Sequence, residues 1–111
     1  MMERFHKYIH DILYAIEMID DFLHATPSYT GYVKDLKTKS AVERQLGIIG
    51  EAVNKFEKEN TTHKLSYSRE IVNFRNRLIH AYDSIDDSVV WAIKTNHLPF
   101  LKAEISDILN K

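Results

Sequence analysis

Apolar residues recur every three or four positions along this chain, a spacing that is helical almost throughout. Phe5, Ile9, Ile12, Ile16, Ile19 and Leu23 predict an amphipathic helix from about residue 2 to about residue 24. Thr26-Pro27 reads as the start of a short second helix, because proline suits the first helical position; Gly31 then weakens it. Ser40-Ala41-Val42-Glu43 has the form of a capping box. The stripe Val42, Leu46, Ile49, Val53 and Phe56 follows, up to a polar break at Glu59-Asn60-Thr61-Thr62. Gly47 and Gly50 lie inside this helix, where each costs about 1 kcal/mol relative to alanine. The expected return is close approach of another backbone, since glycine has no side chain to hold it off.

A fourth helix is expected from near Ser66, carrying Ile71, Phe74, Leu78 and Ile79. Ser84 to Asp87 supplies cap residues for a helix through Val89, Val90, Trp91 and Ile93. Pro99 opens a last amphipathic helix with Leu101, Ile105, Ile108 and Leu109. No strand alternation, internal repeat or low-complexity segment interrupts this pattern. The expected fold class is all-α, an up-down bundle of four to five main helices plus a short one, in a single domain over residues 1–111.

Composition narrows the function. A chain of 111 residues buries roughly 60 to 70% of its unfolded surface, enough for one core. No apolar run approaches the roughly 20 residues of a membrane span, and the amino terminus lacks the apolar stretch of a signal peptide. The absence of cysteine excludes disulfides, a thiol nucleophile and thiolate metal ligation, and a cytoplasmic location is expected. A net charge of −1 argues against a broad nonspecific nucleic-acid coat, so any such contact must come from a local patch. Arg69, Arg75 and Arg77 form the densest arginine cluster, with Asp83, Asp86 and Asp87 at its edge.

That cluster lies in Asn73-Phe74-Arg75-Asn76-Arg77-Leu78-Ile79-His80-Ala81-Tyr82, with the spacing Arg-x4-His-x-Tyr. On a helical wheel Ile71, Phe74 and Leu78 define the core-facing arc. Tyr82 falls about 20° from Arg75, while Asn76 and His80 stack on the polar side. Arg75 and His80 are about 140° apart, so a straight helix does not bring them to one ligand. Either the helix loosens near His80, or a symmetry-related chain completes the site. The chemistry suits a phosphodiester. Histidine gives or takes a proton near neutral pH, and the arginine fork holds phosphate oxygens. Asn76 could orient either group. RNA supplies its own nucleophile, the 2′-hydroxyl, so no metal is required.

With these residues in hand, the segment resembles the HEPN superfamily, marked by Arg-x4-6-His with a polar residue after the arginine: here Arg75, Asn76 and His80. The extension to Tyr82 resembles the HepT group. Glu43-Arg44-Gln45-Leu46-Gly47-Ile48-Ile49-Gly50-Glu51-Ala52-Val53 is similar to that group's arginine-to-IGEA helix, and Trp91 and Leu98-Pro99 fall where it has them. The resemblance implies a HEPN-like helical bundle that forms a homodimer around a shared cleft. It implies a metal-independent endoribonuclease toxin of a toxin–antitoxin pair, with Arg75, Asn76 and His80 catalytic. It further implies an MntA-like nucleotidyltransferase antitoxin that transfers AMP from ATP to Tyr82. Arg69 and Arg77 of the arginine cluster are candidates for RNA binding.

Other readings stand beside it. A non-catalytic substrate-binding or adaptor subunit for a nucleotidyltransferase would use the same surface. His6 and His10, at i and i+4, have zinc-binding spacing without a third ligand and read as surface histidines. Glu51 could pair with Arg75 or Arg44, or remain a plain surface glutamate. His97 caps or flanks the last helix. No glycine-rich phosphate loop occurs, and no cofactor is implied.

Overall fold

In the computed structural model, residues 2–59 and 64–110 are described, with side chains from His6 onward. The Phe5 side chain and the Asn60-Thr61-Thr62 part of the expected polar break therefore lie outside the described residues. Among the described residues every regular element is helical. The elements are α1 (Met2–His24), α2 (Tyr29–Lys34), α3 (Leu36–Glu59), α4 (Ser68–His80), a 3-10 turn (Tyr82–Ser84), α5 (Asp87–Ala92), a π-helical turn (Ile93–His97) and α6 (Leu98–Leu109).

Each long helix reverses the one before it. Tyr8, early in α1, donates from its hydroxyl to Glu59 at the end of α3 (2.8 Å), so these helices run antiparallel. Gly50 of α3 meets Ile71 and Arg75 of α4, whereas Gly47 meets Leu78, which makes that pair antiparallel as well. The chain then returns along α5 and α6. Glu104 of α6 accepts the Ser66 N–H (2.9 Å) and hydroxyl (2.8 Å) just before α4 begins. This is the expected up-down bundle, with α2 as its short extra helix.

The helical stripes become the core. Ile9, Ile12, Ile16, Ile19 and Leu23 of α1 are buried against Val42, Leu46, Ile49, Val53 and Phe56 of α3. Ile71 and Phe74 join from α4, with Val90, Ile93, Leu101 and Ile105 from the last turns. Burying each such side chain contributes about 1.5–3 kcal/mol, which outweighs the weak propensity of any one helix. Tyr32 is the largest fully buried residue and was not marked by the periodicity. Its ring lies 5.4 Å from Trp91, and burial raises its phenol above the ordinary range.

The caps differ from the sequence reading in three places, each with a local cause. Ser28, rather than Thr26-Pro27, caps α2, accepting the Gly31 N–H at 3.1 Å. Ser40 does not start α3. Asp35 accepts both the backbone N–H (3.1 Å) and the hydroxyl (2.6 Å) of Thr38, which begins the helix four residues earlier. Ser66 spends its hydroxyl on Glu104, so α4 starts at Ser68 behind Tyr67. Tyr67 has a φ of 63°, an unfavoured left-handed conformation held by its ring, which stacks on His97 at 4.3 Å. Asp86 does cap α5, as expected, through the Ser88 N–H at 2.8 Å.

Pro99 falls in the first turn of α6, but no loop separates α6 from α5. Proline lacks an N–H and its ring crowds the carbonyl four residues back. The turn ahead of it widens instead of breaking: the Leu98 N–H reaches back five residues to the Ile93 carbonyl.

Both aspartate caps lie below the ordinary carboxylate value. The Thr38 hydroxyl is the largest cause for Asp35, and the Ser88 hydroxyl for Asp86. A lowered folded value means their contribution is full above the ordinary value of 3.8 and is lost as pH falls through the folded value. Asparagine also caps helices but does not titrate. The double variant Asp35→Asn, Asp86→Asn is therefore expected to lose less thermal stability between pH 6 and pH 3 than the parent, read by circular dichroism melts.

Candidate active site

Helix α4 carries the motif, and its position follows from one contact. A Cβ built on Gly50 would overlap the Arg75 Cβ outright and lie 3.0 Å from its Cγ and 3.2 Å from the Ile71 carbonyl oxygen. The bare glycine thus lets the backbone and arginine stem of α4 lie directly on α3. Gly47 is different. A Cβ there would meet only the Leu78 Cδ1 at 3.7 Å, an ordinary contact, so the expected close approach holds at Gly50 alone.

This packing leaves Arg75 half-buried, with its guanidinium held from two sides. One terminal nitrogen pairs with the carboxylate of Glu51, the residue after Gly50 on α3. The other donates to the Asn76 side-chain oxygen at 3.1 Å. Adjacent helical residues do not normally face each other, but the long arginine reaches around to Asn76. Glu51 also faces Lys55 at 3.6 Å. Of the alternatives open for Glu51, the structure therefore selects Arg75 rather than Arg44.

The Arg75–Glu51 pair lines a groove of about 700 Å³ along α3, banked by α1 and α4. Lys7, Arg44, Lys55 and the exposed Ile48 and Ile79 also border it. Arg44, Ile48, Glu51 and Lys55 form one stripe on α3, spaced four, three and four residues apart. The sequence reading missed Arg44 and Lys55 as neighbours of Arg75. Of this stripe, the sequence tied only Glu51 to α4, as one candidate partner of Arg75.

Asn76 and His80 are both exposed, one turn apart, and His80 is the last residue of α4. The helix ends there because Ala81 leaves helical geometry (φ −148°, ψ 44°), while its N–H still bonds the Arg77 carbonyl at 2.8 Å. The wheel therefore does not extend to Tyr82. Its expected place 20° from Arg75 is replaced by an exposed position, 76% accessible, on the 3-10 turn. Ser84 closes that turn, donating from its N–H to the Ala81 carbonyl at 3.0 Å.

The other two arginines of the sequence cluster, Arg69 and Arg77, lie elsewhere. Arg77 borders a second cavity of about 440 Å³ with Glu70, Asn73 and His97, and its charge helps hold the Asp86 carboxyl low. Arg69 is exposed near the start of α4. Neither borders the Arg75 groove. His6 and His10 are exposed on α1. Among the described residues no three His, Cys, Asp or Glu side chains gather as metal ligands, and no helix is long and apolar enough to cross a membrane.

An all-helical bundle presenting Arg-x4-His across the end of a helix defines a class of protein, and comparison with known proteins places the chain within it. The family described as Ribonuclease HepT-like matches residues 12–108, so the chain belongs to that family. A probable ribonuclease HepT of Thermococcus cleftensis is 36% identical over 109 residues, covering 96% of this chain and 98% of that one. An RNase candidate of Caldanaerobacter subterraneus subsp. tengcongensis is 31% identical over 94% of this chain and 93% of its own. Another, of Methanocaldococcus jannaschii, is 32% identical over 92% of this chain and 84% of its own. No solved structure matches the chain significantly.

The Gly50 contact has a measurable consequence. Gly50→Ala is expected to destabilise the fold by about 1–3 kcal/mol through overpacking against Arg75. Gly47→Ala is expected to be neutral or to stabilise by up to about 1 kcal/mol, since it gains helix propensity and its methyl makes only an ordinary contact with Leu78. Urea denaturation of the two variants checks the contrast.

Proposed function

We propose that this chain is a metal-independent endoribonuclease, the toxin of a toxin–antitoxin pair, working as a homodimer. The observation that carries the reading is the clamped Arg75. Its guanidinium is oriented by Glu51 and Asn76 at the edge of an open groove, on the helix that ends in His80. A pre-oriented fork costs little reorganisation when charge grows on a phosphate. Family membership supplies RNA as the substrate class.

In this mechanism the 2′-hydroxyl attacks the adjacent phosphorus and loses its proton, and the bond to the 5′-oxygen of the next nucleotide breaks. His80 moves a proton as general acid/base, and Arg75 stabilises the pentacoordinate phosphorane. Asn76 holds the arginine in place. The products are a 2′,3′-cyclic phosphate and a 5′-hydroxyl. Arg75 and His80 point about 140° apart on one helix, so a two-fold pairing of α4 with its counterpart would gather both groups from two chains.

Control falls to Tyr82. Its exposed ring on a turn is open to a modifying enzyme. An AMP group on its hydroxyl, transferred from ATP with release of pyrophosphate by an MntA-like nucleotidyltransferase, would add bulk and negative charge beside the site. That charge competes with substrate phosphate for the same arginines.

His80→Ala is expected to lower RNA cleavage at least about a hundredfold with an unchanged melting curve, because His80 is exposed. Wild-type cleavage should persist in EDTA and leave cyclic phosphate ends. A variant that cleaves as well as the parent would leave the non-catalytic adaptor as the better account. For control, intact mass after co-expression with the antitoxin should show AMP increments that vanish in Tyr82→Phe.

A further inference from the structure

We propose that Arg44 is a second phosphate-binding residue, holding the RNA strand one or two nucleotides from the scissile bond. The proposal rests on the ribonuclease reading above and adds a strand path to it. Three observations converge on this arginine.

The first is charge pairing. Among the cations bordering the groove, Arg75 and Lys55 face Glu51, and Lys7 faces Asp11 at 2.8 Å. Arg44 makes no ion pair or hydrogen bond among the described residues, and its side chain is exposed. Its neighbour Glu43 also borders the groove but makes no ion pair or hydrogen bond with Arg44 among the described residues. Burial raises that carboxyl first, Asp87 raises it further, and Lys39 is the cation that acts on it. Arg44 therefore keeps all its donors for an anion.

The second is register. Gly50 meets Arg75 and Gly47 meets Leu78 in an antiparallel pair, so each step back along α3 is a step forward along α4. Continuing that register places Arg44 level with Ala81, just beyond His80. Measured along the α4 axis, the level of His80 thus falls between those of Arg75 and Arg44, while the two arginines, and not His80, border the groove. The third is distance. Arg44 and Glu51, which holds Arg75, are two turns apart, about 10 Å along α3. An extended single strand crosses that gap in one or two nucleotides.

This path differs from one over Arg69 and Arg77. Those arginines do not border the groove, and Arg77 lies against α5 beside Asp86. A phosphate at Arg44 would take a bidentate guanidinium contact that lysine cannot reproduce.

The test uses a fluorescent 2′-O-methyl oligoribonucleotide, which cannot be cleaved, in anisotropy titrations over a range of salt. Arg44→Ala is expected to bind about tenfold more weakly. The slope of log affinity against log salt should shrink by about 0.7, the value of one lost contact on a single strand. Arg44→Lys should restore the slope but not the full affinity. In cleavage assays Arg44→Ala should raise KM for an oligoribonucleotide about tenfold without changing kcat. It should leave cleavage of a dinucleoside monophosphate unchanged, because that substrate has no second phosphate. Unchanged affinity and slope would overturn the proposal, as would equal losses on the long and short substrates. If wild-type protein binds the methylated strand with an Arg44-dependent slope yet cleaves no RNA, the phosphate site stands and the nuclease reading falls.

Discussion

The contact on which the site depends is the meeting of Gly50 with the stem of Arg75. A helix interior normally disfavours glycine by about 1 kcal/mol, and here the missing side chain lets α3 and α4 lie backbone against side-chain stem. The consequence is electrostatic as well as steric. With its aliphatic part pressed against α3, Arg75 carries its guanidinium directly to Glu51, one residue beyond the glycine. A charged group half out of water needs such a partner, and the partner in turn removes the freedom of the fork. Packing and pre-organisation are therefore one event in this bundle.

The rest of the fold serves to hold that contact in register. Gly50 lies between Ile49 and Val53 of the buried stripe, which are locked against α1. The approach to α4 is tied down twice: the Leu65 N–H bonds Glu57 of α3 at 2.9 Å, and Ser66 bonds Glu104 of α6. Beyond the motif, Asp87 at the start of α5 pairs with Lys39 of α3 at 2.9 Å, with both side chains largely covered. The segment from Arg75 to the 3-10 turn is thus anchored at both ends while His80 and Tyr82 between them stay exposed. Firm ends with an open middle suit a site that must admit a polymer.

Charge distribution complements this. The chain is near neutral overall, and most cations along the groove have a carboxylate beside them. Such a surface does not attract nucleic acid broadly. Among the cations bordering the groove along α3, Arg44 is the one with no carboxylate partner among the described residues.

The helices, their order and most core positions were legible in the sequence, because helical periodicity is local: the burial of Ile9 or Phe56 follows from spacing alone, whereas Tyr32 and Leu65 lie off the stripes. The motif was legible too, since Arg75, Asn76 and His80 lie within two turns of one helix. What was not legible were choices between competing local partners and all choices between helices. Ser40 reads as the cap for α3, but Asp35 takes both the N–H and the hydroxyl of Thr38 and the helix begins there. The wheel carried Tyr82 along α4, but the backbone left the helix at Ala81. Only the packed bundle selected Glu51 for Arg75, set Gly50 rather than Gly47 as the point of contact, and put Arg44 on the same groove while turning Arg77 away. The physical reason is that a sequence specifies which face of each helix is apolar, whereas the register between two such faces is set by the side chains that fit when they meet.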